Sequence, residues 1–311
     1  MTKIEVSRQR AKQLAARVPR TQVALRSSFV VSTTPGVVPP MTQLLRGGRG
    51  GEVKLKLLLS MLWIGVKEPH DVTQSGRVWA ELIGLDDAET KGAARVNAAV
   101  RRLVQAGFLA VESRPGQASR VTLREETGTG ATYSHPGSHW NKNSVVPTKN
   151  PPRYTQLPVG IWSCGWLAIL TGPAVAMLLV LLEQTRGRKF DGLWFSPSVA
   201  AARYGLSEAT RRKGIAQLAK LGVITVDHAP VGRGTLSETR RRNTYSIHMH
   251  RLSEHPEEPS TITKMVTGSQ HLTKEDLVSF LESVGQPDLA QMARERMKSE
   301  IIDSDPEPPA H

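Results

Sequence analysis

The chain has 311 residues, room for two ordinary domains with tails, and carries a formal net charge of +13 with an isoelectric point near 10.2. A balance this basic points to an anionic partner, because summed positive charge attracts and steers polyanions. The single cysteine, Cys164, excludes an intramolecular disulfide framework and a cysteine-cluster zinc site, and the N-terminus lacks the charged, apolar and cleavable order of a secretory signal.

The charge is uneven along the chain. Residues 1–26 hold seven Lys/Arg against one acid, whereas residues 254–311 hold five against twelve, the pattern of a body that touches nucleic acid and an acidic end that does not. Residues 1–27 read as a basic arm whose SRQRAKQLAARVPR run either coils on a phosphate backbone or stays a disordered solubilising arm. The β-branched run Ser28 to Val38, closed by Pro39-Pro40, reads as a short strand or extended lead-in to a first domain over 28–125.

Within that domain, VKLKLLLSMLWIGV spaces Leu55, Leu58, Leu59, Leu62 and Trp63 as the core face of a helix. Thr73 to Ile83 forms a second, short helix with Val78 and Trp79 inside, and Gly84-Leu85 makes the turn. Ala93 to Gln105 then places Val96, Val100, Leu103 and Val104 on one face and leaves Arg95, Asn97, Arg101 and Arg102 outside. Phe108 to Val111 and Ser119 to Leu123 follow as strands, joined by a turn that contributes Arg114.

Residues 126–153 are poor in apolar groups and rich in Gly, Ser, Thr, Asn and Pro, which reads either as a linker or as a segment partly ordered against a domain, since Trp140 is large to leave in solvent. The second domain covers 154–251. Its most apolar stretch, Ile161 to Leu182, approaches bilayer length, but Gly172-Pro173 divides it, so it reads as a buried first helix with Pro173 in the first turn and no membrane partner. Phe195 to Tyr204, the Gly205-Leu206 turn and the basic helix from Ser207 to Leu221 follow, with strands at Val223 to Val226 and Thr244 to Met249 around a Gly/Arg-rich loop.

Setting Gly107 on Gly222 aligns AVRRLVQAGFLAV with GIAQLAKLGVITV, an echo that reads as a duplicated module. The predicted class is therefore mainly α with small β-wings, α+β, built from two tandem helix, helix, strand, loop, strand units. An acidic tail over 252–311 adds one or two short helices from Thr273 and Leu289.

A helix fits the DNA major groove, where base edges are distinguishable. Turned at about 100° per residue, the Ser207 helix sends Ile215, Leu218 and Gly222 inward and Ala209, Thr210, Lys213, Gln217 and Lys220 outward, with Arg212 on the flank. Ser207, Ala209, Thr210, Arg212, Lys213 and Lys220 are the expected contacts, joined by the loop and strand arginines Arg233, Arg240, Arg241 and Arg242, and in the first domain by Arg95, Asn97, Arg101, Arg102 and Arg114. Arg211 points to the core side, where snorkelling or a pair with Glu208 would accommodate it.

The segment GLSEATRRKGIAQLAKLGVI resembles the recognition helix and following strand of bacterial winged helix-turn-helix regulators, the MarR-like and related families. That resemblance implies DNA contact by Ser207, Ala209, Thr210, Arg212, Lys213 and the wing arginines, with Arg211 departing from the usual apolar residue. Two such domains in tandem also resemble plasmid replication initiators, which bind repeated origin sequences. The expected function is sequence-specific double-stranded DNA binding in plasmid replication or transcription regulation, in a cytoplasmic, nucleoid- or plasmid-associated protein.

A partition or centromere-binding adaptor, recruiting a protein through the C-terminal helices, is the rival reading, and a homodimer contact stays open. No cofactor, metal or catalytic residue is expected. His248-Met249-His250 has the His-apolar-His form of a nickase metal site but no downstream tyrosine, and Gly47 to Gly51 lacks the spacing of a phosphate-binding loop. RNA binding is disfavoured because the five Phe and four Tyr read as internal.

Overall fold

The computed structural model describes residues 1–16, 18–113, 115–140, 153–185, 190–230, 241–256 and 291. The chain is mixed α and β, rich in helix and with small sheets. Helix α1 (Lys3–Ala15) is followed by strand β1 (Gln22–Arg26), the short helices α2 (Ser27–Val30) and α3 (Pro40–Leu45), and the long helix α4 (Arg49–Ile64). Strand β2 (Asp71–Val72), helices α5 (Gly76–Leu82) and α6 (Ala93–Gln105), and strands β3 (Leu109–Glu112) and β4 (Arg120–Leu123) complete a first half.

The second half repeats the order. Strand β5 (Tyr154–Pro158) leads through α7 (Gly160–Ser163) and α8 (Trp166–Ile169) to the long α9 (Gly172–Thr185), then α10 (Pro197–Tyr204), α11 (Glu208–Lys220), β6 (Ile224–Pro230) and β7 (Arg241–Ile247). In the first half the sheet order is β2-β4-β3. In the second, β7 likewise lies centrally, pairing with β6 on one side and bridging to Leu193 through Tyr245 on the other. Neither short outer strand, at Asp71–Val72 or around Leu193, shows in the sequence, because each is only one or two residues of pairing held by a central neighbour.

Local chemistry explains the helix starts. Ser75, Ser196 and Ser207 each accept a hydrogen bond from the amide three residues on, capping α5, α10 and α11. Gly107 and Gly222, at φ +78° and +67°, follow α6 and α11 and turn the chain into the next strand, a conformation that favours glycine. Helix α9 is apolar nearly all round and correspondingly buried from Ala174 to Leu182, with Pro173 in its first turn. No helix among the described residues is long and apolar enough to cross a membrane.

Residues 1–256 form one compact unit; Gln291, the described residue of a second unit over 257–311, is helical. Within the first unit, β1 and β5 pair antiparallel with Ala24 opposite Gln156. Trp63 stacks on Trp162 at 5.1 Å, the Trp162 indole donates to the Ser60 hydroxyl at 2.9 Å, and Gly172 N donates to Glu52 Oε2 at 2.9 Å, which joins α4 to α7 and the start of α9.

Several expectations are corrected here, and the alternatives left open for the linker are decided. The basic arm over 1–27 is a packed element: Thr2 and Glu5 form a capping box, and Ile4, Ser7, Ala11 and Leu14 are buried. Ser7 Oγ donates to the Leu82 carbonyl at 2.5 Å, and Arg10 is paired with Glu81. The extended lead-in at Ser28 to Val38 begins as helix α2, and the strand lies upstream at β1. The described part of the linker, 126–140, is tied to the body: Arg26 is buried and requires an acid, which Glu126 supplies at 2.7 Å and Glu125 at 3.0 Å. Burial pushes the Glu126 carboxyl above the usual carboxylate range against the pull of Arg26, and it also raises the Tyr133 phenol. The tail helices from Thr273 and Leu289 lie outside the described residues, save Gln291.

Candidate nucleic-acid interface

Two helices carry the cations expected at the interface. On α11, Ser207 Oγ caps the Thr210 amide at 3.2 Å and lies 2.9 Å from the Thr210 hydroxyl, so both side chains are engaged in ordering the first turn. With the Thr210 amide capped, the Glu208 and Ala209 amides find no carbonyl within the helix and lie at its positive dipole end, where an anion is favoured. Ser207, Ala209, Arg212, Lys213 and Lys220 are exposed, and Thr210 is half-buried. Glu208 is exposed in the same turn and sets an acid beside them.

The inward face of α11 is closer-packed than its wheel predicts. Gly214 and Leu218 are buried while Ile215 is half-buried, because α11 crosses α9 at Gly214, where a methyl group would run into the Pro173 carbonyl. Gln217 does not face out. Its Oε1 accepts from the Thr171 amide at 2.9 Å and the Thr171 hydroxyl at 2.6 Å, and its Nε2 donates to the Ile169 carbonyl at 2.9 Å, so it locks α11 to the start of α9. Arg211 is half-buried with its Nε unsatisfied, and among the described residues it makes no ion pair with Glu208.

In the first half Arg95, Asn97, Arg101 and Arg102 are all exposed on α6, over a buried face of Val96, Ala99 and Leu103. Val104 belongs to the exposed side, at 37 %, since the helix turns it past the α4 contact. A residue the sequence did not single out joins this surface. Burial, then the nearby Arg102 guanidinium, pulls the Lys54 ammonium below the usual lysine range, and Lys54 donates to the Arg46 carbonyl at 3.2 Å. Its neighbour Lys56 is buried and paired with Glu52 at 2.8 Å, which shows why the VKLK pattern alone could not separate the two lysines.

On the second hairpin Arg241 is exposed and Arg242 lays its guanidinium 4.3 Å from the centre of the Trp194 ring. Arg114, Arg233 and Arg240 lie outside the described residues. The expectation that the Phe and Tyr rings are internal is corrected at Phe190, which is 38 % exposed; Trp194, outside that expectation, is 49 % exposed. The histidine pair does not share a strand face, because β7 ends at Ile247; His248 shares a hydrogen bond with the Thr225 hydroxyl at 2.6 Å and His250 lies in the helical turn 249–253. Among the described residues no three His, Cys, Asp or Glu gather as a metal would need. Comparison with known protein families, with curated proteins and with solved structures returns no match.

Proposed function

We propose that this chain binds double-stranded DNA sequence-specifically through two winged-helix halves, with α6 and α11 as recognition helices and the following hairpins as wings. The observation that carries the reading is the repeated order of helix, edge strand, two helices and hairpin, ending each time in a sheet whose last strand is central. Each half also exposes cations on its third helix: Arg95, Arg101 and Arg102 in one, Arg212, Lys213 and Lys220 in the other. Phosphate contacts by these groups fix register, and arginine or asparagine side chains read guanine or adenine edges.

The halves are joined by the β1–β5 pair, yet their recognition helices carry different side chains. A palindromic site mirrors a symmetric dimer, whereas two unlike helices in one chain favour a non-palindromic, bipartite repeat read by a single copy. That supports initiation of plasmid replication at iterated sites over control of a palindromic operator. A cytoplasmic setting beside nucleoid or plasmid DNA follows from the same reading.

The test is sequencing of the plasmid and genomic fragments that the purified full-length protein retains at about 150 mM salt, beside a variant carrying Arg212→Ala and Lys213→Ala. Fragments with direct repeats, lost in the variant, are the expected result. Retention centred on palindromes moves the assignment to transcription regulation, and uniform retention removes sequence reading altogether.

A further inference from the structure

A groove of about 1460 Å³ opens beside the second hairpin, larger than a site for a drug-sized molecule. Its lining gathers the two exposed aromatic rings of the described residues, Phe190 and Trp194, with Arg153 and Arg203 and the half-exposed Val199. Behind them Phe195 stacks on Tyr245 at 5.4 Å and meets Tyr204 edge-on at 6.3 Å, a fixed aromatic floor. Arg242 covers part of Trp194 from the hairpin side, and the residue as a whole is 49 % exposed.

We propose that this groove binds single-stranded DNA, stacking bases on Trp194 and Phe190 and holding the backbone with Arg153, Arg203 and Arg242. Exposed flat rings among guanidiniums are what a base-tolerant, single-strand platform requires, since every base offers a π-face and every linkage a phosphate. Arg153 and Arg242 make no ion pair among the described residues, so their charge is available to a phosphate. Arg203 is held 3.3 Å from the buried Glu183, which fixes its position at the wall. Asp191 is the exposed acid of the lining and sets the edge where a backbone does not run.

The choice of DNA over RNA rests on the duplex reading above, because Trp194 of the groove packs under Arg242 of the second wing. A single strand released beside a bound duplex would be captured there without displacing α11 from its site.

The experiment is fluorescence anisotropy of the full-length protein with a labelled oligo(dT) of about 20 nucleotides, an abasic strand of equal length and an oligo(U) RNA. Trp194→Ala should weaken oligo(dT) binding about ten-fold, whereas Trp194→Phe, which keeps a ring, should stay within about three-fold. The abasic strand should bind the native protein about as weakly as oligo(dT) binds the alanine variant. Arg212→Ala with Lys213→Ala should leave oligo(dT) affinity unchanged, which separates this site from the duplex interface. Equal binding of oligo(dT) and the abasic strand, insensitivity to Trp194→Ala, or tighter binding of oligo(U) would each overturn the proposal. Loss of duplex selectivity with oligo(dT) binding intact would sink the duplex reading alone.

Discussion

The two halves share an order of elements but settle their third helices differently. With Gly107 set on Gly222, Gly214 of α11 stands where α6 has Ala99, Arg211 where it has Val96, and Gln217 where it has Arg102. In the first half Ala99 and Val96 are buried apolar groups and Arg102 is exposed. The second half instead brings α11 so close to α9 that only glycine fits at 214, holds it with Gln217, and leaves Arg211 half-buried. The first half also inserts a π-helical turn, Ala88–Gly92, before α6, whereas the second passes from Gly205 to the Ser207 cap directly. A tight turn and a close helix crossing go together, because a short connection leaves little freedom to seat α11 further out.

The strongest way to break this comparison is Gly214→Ala. The added methyl meets backbone at Pro173, which a side-chain rotation cannot relieve, so the helices must part at a cost of about 1–3 kcal/mol. For a unit of this size that is a fall in melting temperature of roughly 3–10 °C by calorimetry. The reverse exchange, Ala99→Gly, should lower stability by no more than about 1 kcal/mol, from helix propensity and a small void. Equal effects at both positions would show that the two crossings are alike after all.

Second comes Gln217→Ala. It removes three hydrogen bonds at the Ile169–Thr171 turn and leaves the Thr171 amide unpaired, for an expected loss of about 1–2 kcal/mol in denaturant unfolding. Because Gly172 N is held by Glu52 of the first half, the same variant should also loosen α11 relative to α4, seen as faster amide exchange at the start of α9. Arg102→Ala, at the matching place in α6, should leave stability nearly unchanged and reduce duplex affinity instead.

These differences mark how far the sequence could be read. Periodicity was sufficient for α6 and α11, whose buried residues recur at helical spacing, and dense apolar runs for α4, α5 and α9, and glycines closed two of these helices. It could not reveal β2 or the Leu193 bridge, since one or two paired residues leave no alternation to detect. Nor could it reveal that α1 is packed: its buried face is Ile4, Ser7, Ala11 and Leu14, in which a serine and an alanine hide the stripe among arginines. The exposed cations of α6 and α11 were legible because a helix wheel sorts apolar from charged, but Gln217 and Lys54 were not, because their roles depend on what the neighbouring helix offers them.

A smaller effect tests the most discordant residue. Arg211→Val gives α11 the side chain that α6 has at Val96 and removes a buried Nε with no partner, so stability should rise, by up to about 1 kcal/mol. Valine's weaker helix propensity offsets part of that gain. If duplex affinity is unchanged, Arg211 is a misfit of packing; if it falls several-fold, Arg211 swings outward on binding and belongs with Arg212 and Lys213.

The smallest expected effect concerns Glu208, which stands where α6 has Ala93. An exposed acid in the first turn favours the helix through its dipole, yet under the proposed duplex reading it also repels a phosphate placed at this turn. Glu208→Gln should therefore cost the isolated protein a few tenths of a kcal/mol and tighten duplex binding by about two- to five-fold at low salt. The gain should shrink as salt rises, since an exposed charge is screened over about 8–10 Å near physiological ionic strength. Weaker binding in the glutamine variant would mean that Glu208 accepts a hydrogen bond from a base, as from cytosine N4, and that the second half reads sequence with an acid where the first relies on arginine.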